Sequence, residues 1–205
     1  MATATYAQLK DWFARGVGDS DGSSIDTAGE ALINDAHKEL SSNFPFDCNK
    51  TIAATITLSS GSATLPADFD FAHKNEVEVY SYASTTKTKY TAVAPSEVSR
   101  FSSADYVYYI DEKNSALKSN QATGSLKLDY FAIPAVMTSD SDTTNFPVPK
   151  AVSVKAASDY YFDFEEDEEK AKRKFEQADL LFAQAKERNK LQREYGLKFR
   201  QGGEK

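Results

Sequence analysis

Apolar residues near the start of the chain recur at helical spacing. Tyr6, Leu9 and Phe13 share one face, Trp12 lies beside Leu9, and Gly16 and Gly18 stop the run. After the loop GDSDGSS a second helix is expected from Ser24 or Thr27, where Thr27 and Glu30 have capping-box spacing. Its stripe is Ala28, Leu32, Ala36 and Leu40, flanked by Ile25 and Ile33, and Pro45 ends it at the latest.

From Thr51 the period changes to two. Ile52, Ala54, Ile56 and Leu58 alternate with Thr51, Ala53, Thr55 and Thr57, the pattern of a half-buried strand. SSGS turns the chain and SATLP returns it. Alternation resumes at Glu76–Val79, and further strands are expected at Lys89–Val93, Tyr106–Ile110 and Leu126–Phe131, with a short helix at Pro95–Phe101. Ile52, Ile56, Val77, Val79, Leu126 and Leu128 are expected to face the β core.

Pro134 closes the β region, and MTSDSDTTNFPVP reads as a polar loop. Helical spacing returns with Val154, Ala157, Tyr161 and Phe164, then with Ala171, Phe175, Ala178, Phe182 and Ala185. Asp163 and Glu166 have capping spacing, so either a break falls near Asp163–Asp167 or one helix continues through it. The class is α+β: a helical bundle formed by N- and C-terminal helices, an inserted antiparallel β module and an extended C-terminal arm. The expected bounds are 1–48 for the first helices, 49–147 for the β module, 148–192 for the last helices and 193–205 for the arm.

The acid run Glu165–Glu169 followed by Lys170, Lys172, Arg173 and Lys174 raises the question of a metal site. A hard cation needs carboxylates converging from several directions, whereas consecutive acids on one helix splay around it. Glu166/Lys170, Glu168/Lys172 and Glu169/Arg173 instead form acid-first i,i+4 pairs, which reads as a solvated helix face.

Composition narrows the function. The net charge of −7 argues against a general nucleic-acid binder. No apolar run is long enough to span a membrane, and MATATYAQLKDWF lacks the basic-then-apolar order of a secretory signal. Cys48 is the only cysteine, which excludes an internal disulfide and fits folding in a reducing cytoplasm. His37 and His73 have no metal-binding context, and a Cys48/His37 dyad is less expected than a small apolar packing role for Cys48. Asp68 and Asp70 read as turn chemistry rather than a carboxylate pair. No nucleotide or nucleophile motif occurs, so no catalytic residue, cofactor or metal is expected. The chain has 13 Phe and 11 Tyr, and aromatics crowd in ADYVYYIDE and SDYYFDFE, either as core with ordinary surface tyrosines or as a subunit interface.

Beyond Ala185 the chain becomes basic. Gly196 ends any helix there, and Leu197 and Phe199 alternate with Lys198 and Arg200. Such a stretch is either a frayed end or an arm that orders on a partner.

GEALINDAHKELSSNFPF, a strand pair and SATLPADFDFAHKNEVEVY together resemble the head-to-tail adaptor proteins of tailed bacteriophages. The parts that carry the resemblance are Leu32–Ala36, Leu65–Phe69, Val77–Tyr80, Tyr130–Pro134, Phe146–Pro149 and the helices beyond, spanning Ile25 to Lys190. The resemblance implies a structural virion protein at the head–tail interface, assembled in the host cytoplasm. It would bind the portal protein as a self-associated ring of roughly twelve copies and contact further neck or tail proteins. DNA would meet it only in passing through the channel. The acidic balance suits a channel wall over which phosphates slide. On this reading the arm residues Tyr195, Leu197, Lys198, Phe199 and Arg200 bind the portal or a neighbouring subunit. The competing readings are another neck or tail component, such as a stopper or tail-tube protein, and a ligand-binding module or enzyme with a pocket in the β lobe.

Overall fold

The computed structural model describes residues 3–18, 27–83 and 85–195. In chain order the elements begin with β1 (Ala4–Thr5), α1 (Tyr6–Val17) and α2 (Thr27–Ser42). The strands β2 (Lys50–Leu58), β3 (Ser62–Thr64), β4 (Glu78–Ala83), β5 (Thr86–Lys89) and β6 (Thr91–Ala92) follow. Then come β7 (Val107–Asp111), β8 (Ala116–Ser119), β9 (Gly124–Phe131), β10 (Thr143–Thr144), α3 (Lys150–Asp163) and α4 (Glu168–Tyr195). The class is α+β. The chain divides into a helical unit, 1–49 with 134–205, and a sheet unit, Lys50–Ile133.

In the helical unit α1 starts at a capping box. Thr5 Oγ1 accepts from Gln8 N–H at 3.2 Å, and Thr5 N–H donates to Gln8 Oε1 at 3.0 Å. Tyr6, Leu9 and Phe13 are buried as their spacing predicts, and Gly18 at φ 80° closes the helix in the left-handed region that favours glycine. A side-chain carbon at Gly16 would sit 3.2 Å from Ala157 Cβ, so glycine lets α1 approach α3 closely.

On α2 the buried face is rotated from the expected stripe. Ile33, Ala36, His37 and Leu40 are buried, while Leu32 is only half-buried. Ile25 and Ser24 lie outside the described residues.

Helix α3 is buried from Ala151 through Ser158 rather than along one face, because α1, α2 and α4 all pack against it. Phe164, expected on its buried face, lies beyond the helix end and is exposed. The segment 134–147, expected in the β module, belongs to the helical unit. Its apparent polarity hides Met137 and Phe146, both buried in the helical core, and β10 pairs with β1.

α3 and α4 are separate helices. Phe164 N–H donates to Tyr160 O at 3.0 Å and Asp167 N–H to Tyr161 O at 3.0 Å, which folds the chain back. Asp167 caps α4 by accepting from Lys170 N–H at 3.0 Å, the role expected of Asp163.

The sheet unit holds two four-stranded sheets, ordered β2-β9-β4-β5 and β3-β8-β7-β6. All the pairings are antiparallel except β6 with β7. Both sheets contribute to one core, with Ile56, Val79, Leu126 and Leu128 from the first and Tyr108 and Leu117 from the second. Val77 packs at its edge. Ile52 does not follow this pattern and is 69% exposed. The register slips between Thr51 and Ala54, so Ile52 and Ala53 together oppose Asp129, a β-bulge that breaks the alternation. Ala53 sits at φ 58°, and its N–H donates to Asp129 Oδ1 at 2.8 Å. The short helix near Pro95 is a single 3-10 turn, Val98–Arg100.

Candidate interaction surfaces

Polar contacts, most of them part-buried, hold the turns and connections within each unit. Asn34 on α2 holds Met137 by both main-chain groups, accepting from its N–H at 2.8 Å and donating to its carbonyl at 3.1 Å. Tyr130 on β9 donates its hydroxyl to Asp68 at 2.8 Å, and Asp68 O accepts from Ile133 N–H at 2.7 Å. Asp70 caps the following 3-10 turn by accepting from Ala72 N–H at 3.0 Å, the turn role expected of it, whereas the Asp68 carboxylate is spent on Tyr130, far along the chain, rather than on its own turn. His37 lies within 2.9 Å of Thr144 Oγ1, and burial pushes its imidazole down to about 4. A histidine so placed is neutral at pH 7 and ties α2 to β10.

Burial pushes the Cys48 thiol up to about 12, so at neutral pH it stays protonated and is a poor nucleophile. Among the described residues no group of three or more His, Cys, Asp or Glu is arranged to hold a metal ion. No described helix is long and apolar enough to cross a membrane.

The exposed features of the helical unit gather around α3 and α4. Their seam is built on Ala171, Ala178 and Ala185, buried at intervals of seven residues. Alanine lets the backbones approach, and the larger side chains flank the seam. Phe182 is half-buried, and Phe175, expected in the buried stripe, is 47% exposed. Beside Phe175 a groove of about 440 Å³ runs between α2, α3 and α4, with Phe162 on its rim. Lys155 lines it, 2.9 Å from Glu39 and 2.8 Å from Asp159. Burial would push its ammonium down, but the hydrogen bonds to Asp159 and Glu39 outweigh this and hold it up. The signal for this pair was in the sequence: a lone Lys155 amid small residues, with Asp159 one helical turn on.

The charged run behaves mostly as a solvated face. Glu169 pairs with Arg173 as expected. Lys170 pairs instead with Asp167, at 3.0 Å, because Glu166 is outside the helix at φ 49°. At the other end of α4, Arg193 donates to both carboxylate oxygens of Asp47, at 2.9 and 3.0 Å, and to Pro45 O at 2.8 Å. Asn189, fully buried, accepts from Asp47 N–H at 2.9 Å. These bonds clamp the segment after α2 onto the foot of α4. Tyr195 is the last residue of α4, while Leu197, Lys198, Phe199 and Arg200 lie outside the described residues.

A family model described as SU10 adaptor protein matches residues 4–200. The chain therefore belongs to the SU10 adaptor protein family, a bacteriophage head-to-tail adaptor family. Its class is a structural phage protein, and its place is the virion. No match was found among curated proteins.

Proposed function

We propose that this chain is a neck adaptor that assembles as a ring of roughly twelve copies beneath the portal and continues the DNA channel toward the tail. The family match over residues 4–200 carries this reading. Supporting it, the described surface offers exposed aromatics, Phe162, Phe164 and Phe175, of the kind enriched where subunits meet. The net charge of −7 suits a wall that does not retain DNA. Further neck or tail proteins would bind the ring's other face, and assembly would take place in the host cytoplasm.

The arm residues Tyr195, Leu197, Lys198, Phe199 and Arg200 are proposed to dock on the portal or a neighbouring subunit, with Leu197 and Phe199 as apolar anchors. The test is light scattering of the purified chain with and without portal rings. The reading expects a monomer or small oligomer alone and a discrete ring-sized complex with portal. A stable small dimer unchanged by portal would favour another neck or tail role. Deleting Tyr195–Lys205 should leave the melt nearly unchanged and abolish joining to portal-bearing heads.

A further inference from the structure

We propose that neighbouring copies of this chain meet through the two ends of the α3–α4 hairpin, the acidic turn of one copy entering the groove at the basic foot of the next. The inference rests on the ring reading above and names the contact that would build the ring.

The turn is a preformed knob. Phe164 is 55% exposed yet held in place, stacked on Tyr160 with ring centroids 5.6 Å apart and planes 20° from parallel. The main-chain bonds to Tyr160 and Tyr161 fix the turn around it, and Glu166 is held at φ 49°, which a non-glycine residue adopts only when its surroundings impose it. Glu165, Glu166, Glu168 and Glu169 follow Phe164 along the chain and are exposed. Among the described residues Glu166 and Glu168 have no ion-pair partner within 4.0 Å.

The foot is a matching socket. A groove of about 350 Å³ is lined by Phe44, Ala183, Lys186, Lys190 and Arg193, with Glu187 its one carboxylate, so its lining is basic on balance. Half-buried Phe44 and small Ala183 give it an apolar wall, and a space of roughly 150 Å³ already accommodates benzene. Lys186 rests over the Phe182 ring at 4.8 Å and has no carboxylate within 4.0 Å among the described residues. Among the described residues the carboxylate within reach of Lys190 is Glu194, at 4.0 Å. Arg193 is occupied by Asp47 and keeps the socket wall in place.

Knob and socket cannot meet within one copy. The turn precedes α4, a helix of 28 residues. At about 1.5 Å per residue the acidic turn and Lys186 are on the order of 30 Å apart along a straight rod. The partner of each is therefore another copy. Turn against turn sets acid on acid, and foot against foot sets lysine on lysine, so charge selects the unlike pairing. An interface between two different patches of identical chains leaves a free patch at each end of a pair, and repetition closes a ring when the rotation allows.

The experiment uses the full chain with Glu165→Cys and Glu187→Cys, which places one exposed thiol at each end. Mild oxidation of a concentrated sample, alone and on portal rings, should give a ladder of disulfide-linked oligomers. Cys48, with its thiol pushed up to about 12, should not contribute. Adding Lys186→Glu with Lys190→Glu, or Glu165→Lys with Glu168→Lys in a chain probed by sedimentation, should weaken self-association at least about tenfold. Mixing those two charge variants should restore association as an alternating assembly, because the turn of each then meets a foot of opposite charge on the other. No ladder in either setting, or variants that associate like the parent, would overturn the contact; a ladder that forms equally with Lys186→Glu and Lys190→Glu would assign the foot to a different occupant and overturn it too. Portal co-sedimentation of the same variants separates the two readings: retained portal binding without a ladder faults only this contact, and loss of portal binding by the parent chain faults the adaptor role.

Discussion

Asn34 grips Met137 across a sequence gap of 103 residues, accepting from its N–H at 2.8 Å and donating to its carbonyl at 3.1 Å. The same amide donates to Glu30 O at 3.1 Å and to Tyr6 Oη at 3.3 Å, so one side chain joins α1, α2 and the strap before β10. Asn34→Leu would leave both main-chain groups of buried Met137 unpaired, and should lower unfolding free energy by about 2–4 kcal/mol. Urea denaturation checks this; a loss under about 0.5 kcal/mol would mean that water replaces the amide.

The bulge opposite Asp129 separates two isoleucines that the sequence pattern treats alike. Ile56 is 7% exposed and Ile52 69%. Ile56→Asp should unfold the sheet unit by burying an unpaired charge. Ile52→Asp should change the melt little, within about ±0.5 kcal/mol. Ala53→Gly relieves a left-handed alanine and should stabilise by up to about 1 kcal/mol. Parallel thermal melts of the three variants give the ordering.

The alanine seam predicts the opposite of ordinary core intuition on α4. Ala178 is buried and Phe175 is 47% exposed. Ala178→Leu should cost about 1–3 kcal/mol by forcing α3 and α4 apart, while Phe175→Ala should cost less than about 1 kcal/mol. Chemical denaturation of both variants decides it.

His37 predicts a pH dependence. Its folded-state value is pushed down to about 4 by burial, so between that value and the ordinary histidine value the unfolded chain binds a proton that the folded chain does not. Stability from this residue is therefore full above about pH 6.5 and falls as pH drops toward about 4. The carboxylates also titrate there, so the measurement is the difference between the parent chain and His37→Gln. Stability measured against pH should show a shallower acid loss in the variant; parallel curves would contradict the assignment.

Much of this was legible in the sequence because its causes are local. Helical spacing placed Tyr6, Leu9 and Phe13, and alternation placed Ile56, Val79, Leu126 and Leu128. What escaped depends on groups distant along the chain. Ile52 turns outward because Asp129, on another strand, holds the Ala53 N–H. Met137 and Phe146 are buried although their neighbours are polar, because α2 supplies Asn34 and the helical core receives Phe146. Phe175 keeps the helical period and still misses the core, because the contact with α3 is built on alanine. The arm residues Leu197 to Arg200 were singled out by alternation alone, while the knob and socket of the hairpin needed Phe164, Phe44 and Lys186 to be seen in place.

The most direct test of the adaptor role is gold labelling of this chain on purified phage particles, viewed by electron microscopy. The account predicts label confined to the junction between head and tail, with heads that still carry portal but lack the chain failing to acquire tails. Label distributed along the tail tube, or absent from mature particles, would contradict it.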